Sequence, residues 1–216
     1  MRKFISLLAG AACLGLAPAE AATVVDQTFT PTIITVQSAF TNGPTFRRAE
    51  TLTVGVAGTL SQVDIQLSLA SGFSAPIFTG FDILSTNSSG VPNTGPGSIL
   101  GTGTLSSQTA TLAVFTTSLA VTVGEVIAIE PITSNNCAAW AGQNFPPAVS
   151  YTRGQDYFVP TGSSGPFLTS GSVDGFTTFV TTPSQVPLPA SLPLFASGLA
   201  GLGLLSWRRK RKAASA

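Results

Sequence analysis

The sequence predicts an all-β protein: an antiparallel β-sandwich, jelly-roll-like, with a signal helix before it and a single transmembrane helix after it. Thr, Ser and Gly dominate residues 22–185, with Val, Ile, Leu and Phe interspersed, and this low-charge composition favours strands. Val63, Ile65, Leu67 and Leu69 alternate with polar residues, which is the period of a half-buried strand. We find no amphipathic helical pattern before the C-terminal tail.

Further segments of the same character are separated by turn signals. We predict these strands at Thr23–Thr30, Ala49–Val56, Ile77–Leu84, Ile99–Leu105, Thr109–Thr116, Glu125–Glu130 and Gly175–Thr181. The turn signals are Asn42-Gly43-Pro44, Ser71-Gly72, residues 87–97 and residues 161–166. Eight or more short strands with turns about every ten residues are typical of an antiparallel sandwich.

The N-terminus has the three parts of a secretory signal peptide over residues 1–21. Two cations at residues 2–3 precede an apolar segment at residues 4–16, and Ala19 and Ala21 supply the small residues of a cleavage site. We expect cleavage after Ala21, with cleavage after Ala19 as the alternative. The sequence therefore predicts export of the 22–181 domain, with residues 182–185 as a linker to the C-terminal tail.

The tail contains an uncharged apolar stretch from Leu188 to Trp207. Pro189 and Pro193 restrict the helix to about residues 192–207, which spans about 24 Å and is a minimal membrane crossing. A basic cluster that favours the cytoplasmic side follows at Arg208, Arg209, Lys210, Arg211 and Lys212. This order predicts an inner-membrane segment with its N-terminal side outside.

A proline-bracketed motif precedes the apolar stretch, formed by Val186, Pro187, Leu188, Pro189 and Ala190. Residues 186–212 contain this motif, the apolar span and the basic end in that order. In this respect they closely resemble the PEP-CTERM sorting signals, specifically the VPLPA variant. Leu188 stands where the commoner family motif has Glu. The resemblance implies recognition and processing by an exosortase, a membrane-embedded cysteine protease-transpeptidase, in a bacterium that makes extracellular polysaccharide. An ordinary single-pass anchor is the alternative.

The 22–185 region is acidic, although the whole chain carries a formal charge of +1. Its three cations are Arg47, Arg48 and Arg153, and its eight anions are Asp26, Glu50, Asp64, Asp82, Glu125, Glu130, Asp156 and Asp174. The difference, 3 − 8, gives a net charge of −5. Such a domain lacks the cationic surface that nucleic-acid binding requires, so no nucleic-acid partner is predicted.

The residue inventory excludes several catalytic classes. The chain has no His, and residues 22–185 have no Lys, so His-dependent triads and dyads, His-ligated metals and a Ser-Lys dyad are excluded. Cys137 is the sole Cys after signal removal and is expected to be buried. No cofactor is predicted; a calcium site is the open alternative, with Asn135 and Asn136 its nearest candidates.

Two sets of side chains could contact a carbohydrate. Trp140, Tyr151 and Tyr157 share one segment with Phe158, and aromatic rings beside polar groups suit sugar stacking; the alternative is that they belong to the core. The acids Asp64, Asp82, Glu130 and Asp174 could supply a glycosidase pair, but isolated acids on alternating strands are expected on the solvated face. We therefore predict no catalytic residues.

The domain also resembles, more diffusely, the jelly-roll ectodomains of bacterial anchored proteins. The resemblance follows the order of an opening TFT strand, ETLTVGVAGTLSQVDIQLSL, VPNTGPGSILGTGTL, VGEVIAIE and a closing VDGFTTFV. Such domains resemble carbohydrate-binding modules in fold. Together with the resemblance of the tail to the sorting signals, this implies a non-enzymatic, exported surface or extracellular-matrix protein associated with exopolysaccharide or biofilm. A carbohydrate-binding module is the alternative, and a secreted glycoside hydrolase is the third class.

Overall fold

The computed structural model describes residues 21–40, 47–144, 151–160 and 165–183, which form thirteen β-strands and no helix. The predicted transmembrane helix and the signal peptide up to residue 20 lie outside the described residues. The strands are β1 (Thr23–Phe29), β2 (Val36–Phe40), β3 (Arg47–Thr53), β4 (Gly58–Gln66), β5 (Phe78–Ser85), β6 (Ile99–Gln108), β7 (Leu112–Val121), β8 (Val126–Thr133), β9 (Cys137–Asn144), β10 (Asp156–Val159), β11 (Leu168–Thr169), β12 (Ser172–Asp174) and β13 (Phe176–Thr181). The predicted all-β class is confirmed for this part of the chain.

Two antiparallel sheets are formed by these strands. The larger has the order β1-β13-β4-β7-β6-β5-β8-β3-β10-β11, and the smaller has the order β12-β9-β2. The first and last strands are neighbours, because Thr23 pairs with Thr181 and Phe29 pairs with Phe176. Both ends of the Ala21–Pro183 unit therefore lie at one edge of the larger sheet.

The larger sheet curls around an apolar core to which both sheets contribute side chains. The Phe115 ring on β7 lies 5.2 Å from that of Phe78 and 5.5 Å from that of Phe81, both on β5. From the smaller sheet, Trp140 is completely buried, and its indole Nε1 donates a hydrogen bond to the Gly175 carbonyl oxygen at 2.9 Å. Burial of such large aromatic side chains supplies much of the hydrophobic driving force for folding.

Most predicted strands coincide with observed strands to within a few residues, and two differences have a clear cause. Strand β7 begins at Leu112 rather than at Thr109, because the Thr109 hydroxyl oxygen accepts the Leu112 N–H in a tight turn at 3.0 Å. Leu69 is 47% exposed, because β4 ends at Gln66 and the alternation no longer follows a sheet.

The sequence pattern does not predict five of the observed strands: β2, β9, β10, β11 and β12. Strand β9 has the sequence CAAWAGQN, and all its residues except Asn144 are buried. A strand covered on both faces shows no polar alternation, so its period cannot be read from the sequence. These unexpected strands matter for function, because three of them bring charged or hydroxyl side chains to one buried position.

Candidate functional site

Strand β3 points Arg48 and Glu50 toward the core, because residues two apart lie on the same face of a strand. Its pairing with β10 sets Asp156 directly opposite Glu50. Glu50 and Asp156 have no exposed surface. Two carboxyl groups and a guanidinium group are thus held side by side in the β3–β10 ladder of the larger sheet.

The third carboxyl group comes from the smaller sheet. Asp174 ends β12, is also completely buried, and pairs with Gly142 on β9. A Cβ atom at Gly142 would overlap Asp174 Oδ1 and would lie 2.6 Å from Val36 Cγ2. Glycine at this position therefore makes the space that the Asp174 carboxyl group occupies. We call Arg48, Glu50, Asp156 and Asp174 the Arg48 cluster.

Within the Arg48 cluster, Asp156 is fully hydrogen bonded. Arg48 Nε donates to Asp156 Oδ1 at 3.1 Å, and Arg48 Nη2 forms an ion pair with Asp156 Oδ2. The hydroxyl groups of Ser170 and Ser172 also donate to Oδ2, that of Ser172 at 3.1 Å. This carboxylate has the partners that a buried charge requires.

The carboxyl groups of Glu50 and Asp174 accept fewer hydrogen bonds than that of Asp156. Asp174 Oδ1 accepts the Ser38 hydroxyl at 2.7 Å, and Glu50 Oε2 accepts the Asp174 N–H at 3.0 Å. Asp174 Oδ2 forms an ion pair with Arg48 Nε at 3.3 Å. Glu50 Oε1 has no donor among the described residues. Of these two carboxyl groups, Glu50 therefore keeps one buried oxygen without a partner, which is costly.

The electrostatics follow from burial and an excess of acids. Burial raises the pKa of Glu50 well above its ordinary value, and the charges of Asp156 and Asp174 raise it further. Burial raises the pKa of Asp174 in the same way, with a further contribution from Asp156. Burial would lower the pKa of Arg48, but Asp156 and Asp174 outweigh it and raise that pKa. Chemically, the Arg48 cluster can hold protons or a cation.

The opposite face of β3 carries a second charged group, which we call the Arg47 pair. Arg47 Nε and Nη2 donate to the two carboxyl oxygens of Glu130 at 2.7 and 2.6 Å. Arg47 also lies over the Phe167 ring at 5.1 Å, and Asp82 is opposite Glu130 in the β5–β8 ladder. The pKa of Glu130 is raised, because burial raises it by more than the Arg47 guanidinium lowers it.

The aromatic residues considered for glycan contact lie in the interior. Trp140 is completely buried, while Tyr151 and Tyr157 are 7% and 9% exposed. The Tyr151 ring packs against Phe29 and Phe176 at centroid distances of 5.9 and 5.4 Å. This arrangement favours the core alternative, since none of the three rings offers a face to solvent.

The four acids considered for glycosidase chemistry are distributed over different strands. Asp82 and Glu130 face each other, Asp64 on β4 accepts a hydrogen bond from Gln62 at 2.7 Å, and Asp174 joins the Arg48 cluster. The expectation that such acids lie on the solvated face is wrong for Glu130 and Asp174, which are buried because arginine and hydroxyl partners hold them.

The residues considered for calcium and for thiol chemistry have structural positions. Asn135 Oδ1 accepts the Ile77 N–H at 2.7 Å, and its Nδ2 donates to the Ala75 carbonyl oxygen at 2.9 Å. Asn135 thus ties the loop before β5 to the end of β8. Cys137 is 1% exposed, as expected for a thiol within the core.

The sorting residues Val186–Ala190 and Arg208–Lys212 and the cleavage residue Ala19 lie outside the described residues. Within the described ranges, no helix has the length and apolar character needed to cross a membrane. Sequence reasoning overlooked Glu50 and Asp156 as site residues. A signal existed for Glu50: Arg48 and Glu50 share a strand face with Leu52 and Val54, so two charges lie on an apolar face.

Charge, burial and an unpartnered Glu50 oxygen make the Arg48 cluster the candidate functional site of the described chain. In the sequence, Arg48, Glu50 and Asp156 contribute only to the net charge of the domain. The pairing of β3 with β10 and of β12 with β9 brings them together with Asp174. Comparisons of the chain with protein-family models, with curated proteins and with solved structures found no match.

Proposed function

We propose that this chain is an exported, non-enzymatic protein that is sorted by its C-terminal signal to the cell surface or extracellular matrix. The observation that carries the proposal is the order of the Val186–Ala190 motif, the apolar span and the Arg208–Lys212 cluster. An exosortase in the inner membrane is the processing partner. The role outside the cell is association with exopolysaccharide or biofilm.

The arrangement of the domain ends supports processing at both termini. Strand β1 begins at Thr23, two residues after the predicted signal cleavage site, and β13 ends at Thr181, five residues before Val186. The two strands pair along their length. Cleavage after Ala21 and cleavage near Val186 would therefore leave every strand of the domain intact.

We further infer a jelly-roll topology for the domain. The antiparallel pairs β1–β13, β3–β8, β4–β7 and β5–β6 are nested, so the chain resembles one long hairpin that has been rolled up. Two four-stranded halves result, β1-β13-β4-β7 and β6-β5-β8-β3, and the β6–β7 ladder joins them into one curled sheet. Nested pairing of this kind is characteristic of jelly rolls.

The absence of an enzymatic role is supported by the chemistry of the acids. The chain has no His, and the 22–185 region has no Lys. Asp174 is completely buried, so a sugar cannot reach its carboxyl group in this conformation. A glycosidase needs two acids on either side of an accessible bond.

The proposal is tested by mass spectrometry of the mature protein from its native host. We expect a new C-terminus at or near residues 186–190 and loss of Trp207–Lys212. A variant with Pro187→Ala and Pro189→Ala should retain the tail and stay in the membrane fraction, while Pro183→Ala, outside the motif, should be processed normally. An intact Trp207–Lys212 end on the mature wild-type protein would overturn the processing step and favour a permanent anchor.

A further inference from the structure

We propose that Glu50, Asp156 and Asp174 bind a divalent cation, with Ca²⁺ the best-matched ion. The site is independent of how the tail is processed, since all its residues belong to the folded domain. It would join β3 and β10 of the larger sheet to β12 of the smaller sheet. Three observations carry the proposal: the geometry of the carboxyl oxygens, a buried Glu50 oxygen without a partner, and the charge balance.

The oxygen geometry suits an ion. One carboxyl oxygen from each of the three acids can be chosen so that all lie within 4.8 Å of one another. Ca²⁺ binds oxygen at about 2.3–2.6 Å, so ligands on opposite sides of the ion are at most about 5 Å apart. The three oxygens can therefore contact one ion with little movement of the strands.

An unpartnered buried oxygen is independent of the clustering and indicates a missing ligand. Glu50 is completely buried, and its Oε1 has no donor among the described residues, although Oε2 accepts the Asp174 N–H. Asp174 is more fully bound, because Oδ1 accepts the Ser38 hydroxyl and Oδ2 is paired with Arg48 Nε at 3.3 Å. In Glu50, one oxygen is fixed by the protein and the other is left for a ligand.

The charge balance shows what kind of ligand is needed. Arg48 is the cation of the cluster, and it is shared between Asp156, which it contacts at two points, and Asp174 Oδ2, which lies 3.3 Å from its Nε. Three carboxylates against one guanidinium leave two negative charges uncompensated. One divalent cation supplies that charge, whereas the alternative is protonation of Glu50 and Asp174.

The donor atoms select the ion. The three acids and the hydroxyl groups of Ser170 and Ser172 offer oxygen alone, which suits Ca²⁺ or Mg²⁺ and not Zn²⁺, whose sites are rich in nitrogen and sulfur. Mg²⁺ prefers shorter bonds in a strict octahedron and retains several waters. Carboxyl groups held by three different strands suit the longer and more variable bonds of Ca²⁺.

The test is a titration of the full-length chain, purified in detergent, stripped with EGTA and exchanged into chelator-free buffer. Isothermal calorimetry with CaCl₂ should show one saturable site. At a hundredfold excess over Kd, the midpoint of thermal unfolding should rise by about 5–10 °C. MgCl₂ should produce a smaller shift.

Variants connect the binding to these residues. Glu50→Gln keeps the size of the side chain and removes a buried charge, so it should fold and lose the calcium response. Asp174→Asn serves as a second variant, since its amide oxygen can still accept the Ser38 hydroxyl. Asp64→Asn, on the outer face of β4, is the matched control and should respond like the wild type.

Each outcome decides the proposal. Calcium binding that Glu50→Gln or Asp174→Asn abolishes, and Asp64→Asn leaves intact, supports it. Absence of calcium binding by the wild type would overturn it and favour protonated carboxyl groups. Wild-type-like binding by both cluster variants would place the ion elsewhere, and binding of Mg²⁺ in preference to Ca²⁺ would overturn the choice of ion.

Discussion

Arg47 and Arg48 are adjacent in the sequence, but β3 directs them to opposite faces and into different electrostatic settings. Arg47 is 25% exposed and forms a two-point pair with Glu130, which is 7% exposed. Arg48 is 12% exposed and faces carboxyl groups of Asp156 and Asp174 that are completely buried. A shift of one residue along β3 therefore decides whether an arginine stabilises a single ion pair or a buried cluster of acids.

The two regions differ in how completely the charges are balanced. In the Arg47 pair, Glu130 takes both donors, and Asp82 is half-buried, so water solvates part of its charge. In the Arg48 cluster, Glu50 adds a third buried carboxyl group, so one guanidinium faces three buried acids. A balanced pair stabilises the fold by itself, whereas an unbalanced cluster depends on protons or on a bound ion.

The largest effect is expected from Arg48→Met. Removing the guanidinium leaves the Asp156 charge buried without its ion-pair partner, which costs about 3–5 kcal/mol. Urea denaturation of the full-length chain in detergent should show that loss in the free energy of unfolding. Arg153→Met, at an exposed position, is the control and should change it by less than about 0.5 kcal/mol. Equal losses in the two variants would contradict the central role of Arg48.

Much of this contrast could not be predicted from the sequence. Period-two alternation and turn residues predicted the strands that form most of the curled sheet, because each has one apolar and one polar face. Asp156 and Asp174 belong to short strands of four and three residues, which carry too few positions to show a period. Their meeting with Glu50 depends on long-range pairing of β10 with β3 and of β12 with β9.

The pH dependence of stability should separate the two regions in the metal-free protein. Burial raises the pKa of Glu50 and Asp174 well above ordinary values in the folded state. A carboxyl group with a raised folded pKa contributes its stability below the unfolded pKa, near 4, and loses it as pH rises through the folded pKa. The chelated wild type should therefore lose stability from about pH 4 upward, in equilibrium urea unfolding.

Glu50→Gln tests the origin of that pH dependence. The amide does not titrate, so the fall in stability with rising pH should be much smaller than in the chelated wild type. Glu130→Gln changes the Arg47 pair instead and should leave most of the slope in place. The opposite result would be a fall in stability with pH that Glu130→Gln removes and Glu50→Gln leaves unchanged. It would show that the Arg47 pair dominates the pH dependence of stability.

A steric change at the Arg48 cluster should have the next largest effect. A methyl group introduced by Gly142→Ala would overlap Asp174 Oδ1 and crowd Val36, so the strands of the smaller sheet must shift. Overpacking of this kind costs about 1–3 kcal/mol. Gly95→Ala is the matched control, since no described residue other than its chain neighbours has an atom within 4 Å of the added Cβ. Thermal unfolding should be lowered in the first variant and nearly unchanged in the second.

The smallest of these effects is expected from Arg47→Met. The variant loses two charge-assisted hydrogen bonds to Glu130 and the contact with Phe167. Partial exposure lets water replace the guanidinium at Glu130, so we expect a loss of about 1–2 kcal/mol in urea unfolding. Calcium binding should be unaffected, because Arg47 lies on the opposite face of β3 from Glu50. If Arg47→Met destabilised the protein as much as Arg48→Met, burial and charge balance would not distinguish the two faces of this strand.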